Sequence, residues 1–328
     1  MRALLAVSLV VLAGGERWSG LHESGRVFRR EFTRVSKTEM QDAYVRANGE
    51  EKHVESPGVS SQEQNLLRVE DHVVAAPAGE LLALERRFVE VTRTLQATQP
   101  GKDGQPQSRE LKDNGALEGR TVRFERAGPS EDFGAKLLDK EGPREDLPRL
   151  DVDMGALGIL PGSAPQIGGT WKVPAEQFRL ALLRPGGRLR WPLPAGAPAA
   201  EERLSDGLWD SMEGELELRY AERVEREGQP CARIEWKGSL GFSAQTERAE
   251  GEGGAERYRR EGKGTLEGWL EWNLEAGYTM AFEGTMELEL TATEWGQLKT
   301  KGDPIPIERE FVSKQVEKLA YKAERVAR

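Results

Sequence analysis

Three histidines, one cysteine and 56 carboxylates make up the reactive inventory of this chain of 328 residues. His22, His53 and His72 all fall in the first quarter, with no H-x-H or H-x-x-x-H spacing to set two imidazoles on one metal. Solvated surface histidines are the simpler reading. Cys231, in QPCARIEW, follows a turn signal and has no neighbouring histidine to take its proton. It reads as a small strand residue, partly buried, and not as a nucleophile.

Other motifs thin out on inspection. DVDMGALG opens like a calcium loop through Asp151 and Asp153, yet further oxygen ligands and a closing glutamate are missing at the required offsets. A G-x-S-x-G nucleophile turn is absent, and LPGSAPQ around Ser163 reads as a Pro/Gly turn. GEGGAER is glycine-rich but acidic and outside any strand-to-helix setting, so it does not suit a phosphate. Paired carboxylates can do glycosidase chemistry, but with acids everywhere no single pair stands out. The expectation is a protein without catalytic residues, metal or cofactor. A carboxylate-dependent hydrolase is the enzymatic alternative.

Aromatic residues say more. All tryptophans except Trp18 lie at or beyond Trp171. Trp236 and Trp272 alternate in step with Ile234 and Leu270, which assigns them to the core. Trp269 alternates instead with Glu267 and Glu271, on the charged side, while Trp191 and Trp295 fall near strand or loop ends. Trp171, Phe178, Leu182, Trp269 and Trp295 are therefore the candidate ligand or packing surface, since a large aromatic among charges either contacts a partner or is covered.

The elements that must position these residues are strands. In MEGELELRY, Met212, Gly214, Leu216, Leu218 and Tyr220 share one face and the glutamates the other; FEGTMELEL and LEGWLEW repeat the pattern. Period two means half-buried antiparallel strands, because a helix would spread the glutamates around its circumference. EREGQPCA and NLEAGYT supply turns, making residues 205 to 296 a meander of hairpins. The segments 80–96 and 310–327 also carry helix-spaced apolar stripes (Leu81, Leu84, Phe88, Val91 and Leu95; Val312, Val316, Leu319, Ala323 and Val326), but their β-branched and aromatic content favours strand. Stretches 98–115, 192–202 and 245–264, rich in Gly, Pro and charge, read as loops. The fold class expected is mainly β: curved antiparallel sheets, as a half-barrel or sandwich, with one or a few short covering helices.

At the N-terminus, Met1-Arg2, the apolar run ALLAVSLVVLA and the small residues AGG form a signal-peptide pattern over residues 1–15, too short to span a bilayer. The mature chain divides into an N-terminal antiparallel β region (16–145), a helix-containing connector (146–204) and a C-terminal β meander (205–328). A lone cysteine rules out an intramolecular disulfide, so an exported chain of this kind needs a true core. A formal charge of -9 disfavours a nucleic-acid backbone or an anionic membrane surface as partner. No membrane span is expected once the signal is removed, and the address is periplasmic or extracellular.

The stretch QIGGTWKVPAEQF joins sheet to cover. Ile167, Gly169, Trp171 and Val173 share one face of a short strand, and Pro174 suits the first position of a helix carrying Phe178, Ala181 and Leu182 as its apolar stripe. From Gln166 to Gly296 the sequence resembles uncharacterised exported β-rich proteins of bacteria, which carry V-G-x-x-W-x-V-P, a short helix, then strands with a D-x-x-x-G turn. Here these are IGGTWKVP and NLEAGY, with Asn273 in place of the acid. The layout is also similar to periplasmic lipoprotein-carrier folds, which implies a curved sheet lidded by helices over an apolar cavity; no functional residue transfers. The function expected is an exported, non-enzymatic protein that holds a lipid-like, apolar or amphipathic ligand, or a cell-envelope protein. A scaffolding envelope component without a ligand is the alternative.

Overall fold

The structure is a computed structural model and describes residues 22–55, 57–101, 103–128, 130–153, 156–161, 165–187, 189, 200–247, 255–298 and 303–326. The signal pattern, Ser163 and Trp191 lie outside these residues. Among the described residues the alternating sequence becomes thirteen strands: β1 (Val27–Ala47), β2 (Glu50–Glu55), β3 (Ser60–Ala75), β4 (Ala83–Pro100), β5 (Pro106–Asn114), β6 (Thr121–Glu125), β7 (Gly134–Leu137), β8 (Thr170–Pro174), β9 (Glu213–Arg226), β10 (Gln229–Glu247), β11 (Arg257–Asn273), β12 (Thr279–Leu298) and β13 (Ile305–Arg325). They form one open antiparallel sheet and not a sandwich, in the order β7-β6-β4-β3-β1-β13-β12-β11-β10-β9-β8; β2 pairs with β1, and β5 with β4.

The first and last long strands meet at the centre. β1 pairs with β13 from Phe28↔Arg325 to Ala47↔Ile307, so the two strand-rich regions share one sheet. They also share one core: Phe28, Phe32 and Phe88 belong to the same buried cluster as Leu218, Ile234, Leu270 and Phe282. Each such side chain, removed from water, contributes about 1.5–3 kcal/mol before entropic costs. The sheet's two edges, β7 and β8, are consecutive strands, both short, which limits edge-to-edge pairing with another chain. The connector between them is tied to strands across the sheet. Arg86 of β4 donates to Asp151 O and Val152 O, Ala156 N donates to Thr279 Oγ1 on β12, and the Trp171 indole on β8 donates to Ile159 O.

Glycine matters at one crossing in particular. Gly268 and Gly284 face each other on β11 and β12, and the Trp236 ring lies across both. A methyl group at Gly268 would collide with the Glu283 carbonyl and that ring. The indole thus occupies space that any other residue would fill.

Segments 80–96 and 310–327 are strands over Ala83–Gln96 and Glu310–Arg325, and the misleading helical spacing has a physical origin in the first. Arg68 pairs with Glu90 and Val69 with Phe88, so Val89 is an extra, bulged residue and is exposed. The bulge reverses the alternation, which turns Phe88 inward together with Val91. Three expectations need correction. Residues 98–115 are not one loop: β4 runs to Pro100 and β5 pairs along it from Thr92↔Asn114 to Pro100↔Pro106. Likewise Gln245–Glu247 and Arg257–Gly264 belong to β10 and β11 and pair with each other. These ends carry little apolar burial, and ladder hydrogen bonding to a neighbour stands in for it.

The third correction concerns helices. PAEQFRLALL gives only a four-residue α1 (Ala175–Phe178), with Pro174 just before its first residue, followed by a wider π turn over Arg179–Leu183. A second helix, α2 (Ala200–Asp210), begins where the sequence reads as loop. Its Leu204 and Trp209 are buried, packing that the Ser-Asp-Gly run in its middle conceals.

Candidate functional site

The five residues singled out from the sequence do not converge. Phe178 and Leu182 are wholly buried in the main cluster with Val173, Leu216 and Leu218, so they are packing, not ligand surface. Trp171 packs against the same cluster, half-buried, its indole N–H fixed on Ile159 O at 2.8 Å. Trp295 is half-buried near the far end of β12, its indole donating to Glu308 (2.9 Å) and Arg257 lying 4.1 Å over its ring. Trp269 alone borders a large depression.

That depression, of about 910 Å³, is open to solvent and lies across six strands, from Thr33 on β1 to Arg219 on β9. Trp269 stands in a row set by strand register: Glu283 on β12 and Glu235 on β10 lie directly opposite it, and Arg219 opposite Glu235. The next row holds Lys318, Thr285, Glu267, Lys237 and Glu217. Four carboxylates (Glu217, Glu235, Glu267, Glu283) thus face four cations (Arg219, Arg233, Lys237, Lys318). Arg219 pairs with Glu235 at 2.7 Å and Lys237 with Glu217 at 3.9 Å. Glu267, Glu283 and Lys318 have no ion-pair partner among the described residues. A second depression, of about 700 Å³, continues past Lys172, Glu215, Ser239, Thr265 and Glu287.

Trp269 is held by a cation over its ring. The Arg233 guanidinium sits 3.9 Å from the centre of its ring and is held at 2.8 Å by Glu271. Glu271 has the same alternation as Trp269 yet is buried, because Arg226 also bonds to it. A buried carboxylate bonded to two guanidiniums fixes their orientation.

The other reactive residues lie apart from this depression. Burial, with the negative Glu271 nearby, pushes the Cys231 thiol up to about 11, which keeps it protonated and unreactive at neutral pH. His53 bonds to Asp42 at 2.7 Å and stacks on Tyr44, while His72 pairs with Val27 at the other end of β1. Burial and the adjacent Arg30 pull the His22 imidazole down to about 4. Asp151 accepts from Asp153 N and closes a small turn. Among the described residues no three His, Cys, Asp or Glu side chains are grouped as metal ligands would be, and no helix is long and apolar enough to cross a membrane.

Among the buried polar groups that sequence reasoning overlooked, one cluster stands out. Asp71 lies at the centre, bonded twice by Arg86 and paired at 3.0 Å with Arg30, which also donates to the Tyr321 hydroxyl at 2.9 Å. The signal was present: Arg30, Asp71 and Arg86 each occupy an inward position between apolar neighbours of the same parity.

Comparisons with known proteins add little. No protein-family model and no curated protein matches the chain. Among solved structures, the crystal structure of the P. putida toluene transporter TodX aligns over 94% of this chain and 91% of that one, with 7% identity and a TM-score of 0.15. A likeness at that score carries no inference to fold or function. None of these matches supports the resemblance to lipoprotein carriers.

Proposed function

We propose that this chain is an exported, non-enzymatic binding protein of the cell envelope that engages its ligand on the charged face of the sheet. The observation that carries this reading is the six-strand depression around Trp269, with its braced aromatic ring and its unpaired carboxylates. The interior suits a carrier of apolar ligand less well, because Phe178, Leu182, Ile159 and Val173 fill the space beneath α1 with their own side chains. Export follows from the signal pattern of residues 1–15.

Hydroxyl-radical footprinting of the purified mature chain, with and without a detergent-solubilised envelope extract, tests the reading. Oxidation of Trp269 is expected to fall on adding extract while that of the half-buried Trp295 stays constant. An unchanged Trp269, together with binding of a fluorescent fatty-acid probe, would place the ligand in the apolar interior instead. Intact-mass measurement of protein from the exported fraction checks the processing before Glu16.

A further inference from the structure

We propose that the Trp269 depression binds a neutral, extended polyhydroxylated ligand, that is, a glycan chain. This rests on the reading of the charged face as the working surface and adds to it the class of ligand. Charge comes first. The lining balances four carboxylates against four cations, so neither a polyanion nor a polycation gains a net field on approach. The second is the aromatic. One face of Trp269 already carries the Arg233 guanidinium, and a second cation on the ring would be repelled by the first. The C–H face of a sugar ring meets no such repulsion.

Hydrogen bonding is the third. A hydroxyl both donates and accepts, so a row of alternating acceptors and donors satisfies successive hydroxyls where a single-sign surface would not. The row Lys318, Thr285, Glu267, Lys237, Glu217 mixes donors and acceptors, with the Thr285 hydroxyl able to act as either; Glu267 and Lys318 in it, and Glu283 in the row beside it, are free of other ion pairs among the described residues. The fourth is shape. The depression continues into the second one past Ser239 and Thr265, which offers room along a chain and not only at one ring. Glu271 and Arg233 hold the indole in place beforehand, which lowers the ordering cost of binding.

Isothermal titration of the full mature chain with cellohexaose, maltohexaose and chitohexaose, against the matching disaccharides, a heparin fragment and poly-lysine, tests the proposal. At least one neutral hexasaccharide is expected to bind, and to bind more tightly than its disaccharide. Trp269→Ala is expected to weaken that binding by about tenfold, the loss of one stacking contact. E267Q combined with E283Q is expected to weaken it as well, while E110Q on the remote β5 leaves it unchanged. Trp269 is only half-buried, and circular dichroism with thermal melting checks that each variant folds. Preference for heparin or poly-lysine, wild-type affinity in the Trp269 variant, or no binding by any neutral probe overturns the proposal. If all neutral probes fail while envelope extract still shields Trp269, the ligand class is wrong and the surface reading stands. If the extract also leaves Trp269 unshielded, both fall.

Discussion

The Arg86 guanidinium, fully buried, holds the equally buried Asp71 carboxylate through two hydrogen bonds of 2.7 and 3.0 Å. Its remaining donors reach Asp151 O and Val152 O, so this one ion pair also pins the connector to β4. Asp71 in addition balances Arg30. Replacing it with the isosteric amide leaves two guanidiniums facing each other with little compensation. Breaking a buried pair by removing one partner costs about 3–5 kcal/mol. D71N is expected to lose stability of that order in urea denaturation, and to become more susceptible to proteolysis within residues 144–161 as the connector loosens.

Gly268 is one of the tightly packed positions of the sheet. A side chain there meets both the Glu283 carbonyl and the Trp236 ring, neither of which can move far inside a paired sheet. Overpacking of this kind costs about 1–3 kcal/mol. G268A should lower the denaturation midpoint accordingly. G228A lies at a turn with open space around it, so it meets no clash there and pays only for its positive φ, a separate and purely backbone effect.

Much of this architecture was readable from alternation alone, because a face buried on one side forces period two wherever it lies. MEGELELRY and FEGTMELEL became β9 and β12 with Leu216, Leu218, Phe282, Met286 and Leu288 inward. Residues 80–96 were harder, since the bulge at Val89 breaks the period and imitates a helix. The ends of β10 and β11, and β5, were invisible for a different reason: their exposed charged residues follow no burial pattern, and only a neighbouring strand keeps them extended. The candidate site was half legible. The parity of Trp269 placed it among glutamates, but its cations come from β9, β10 and β13, and strand order is not written in any single segment. Glu271 had the same parity and was buried, because Arg226 and Arg233 reach it from β9 and β10.

Trp171 ties the edge strand β8 to the connector through a hydrogen bond to Ile159 O. The ring is half-buried, so the loss on truncation falls below that of a core tryptophan. W171F keeps most of the packing and removes the donor, at a cost of about 1 kcal/mol. A drop several times larger in equilibrium denaturation would mean that β8 leaves the sheet altogether and exposes the edge of β9.

His22 gives the fold a pH dependence with a definite sign. Its backbone N–H donates to Gly79 O, and burial beside Arg30 lowers the imidazole from 6.5 to about 4. The folded state therefore prefers the neutral ring. Above pH 6.5 neither state binds the proton, and His22 has no effect on the slope. Between 6.5 and about 4 the unfolded chain takes up a proton that the folded chain refuses, so stability falls as the pH falls through that window. Below about 4 both states are protonated and this loss is complete. H22Q, which cannot titrate, should show a flatter dependence of unfolding free energy on pH between 6.5 and 4 than the wild type, measured by urea denaturation at half-unit steps. Parallel curves for the two proteins would mean that the imidazole is solvated and that Arg30 does not face it.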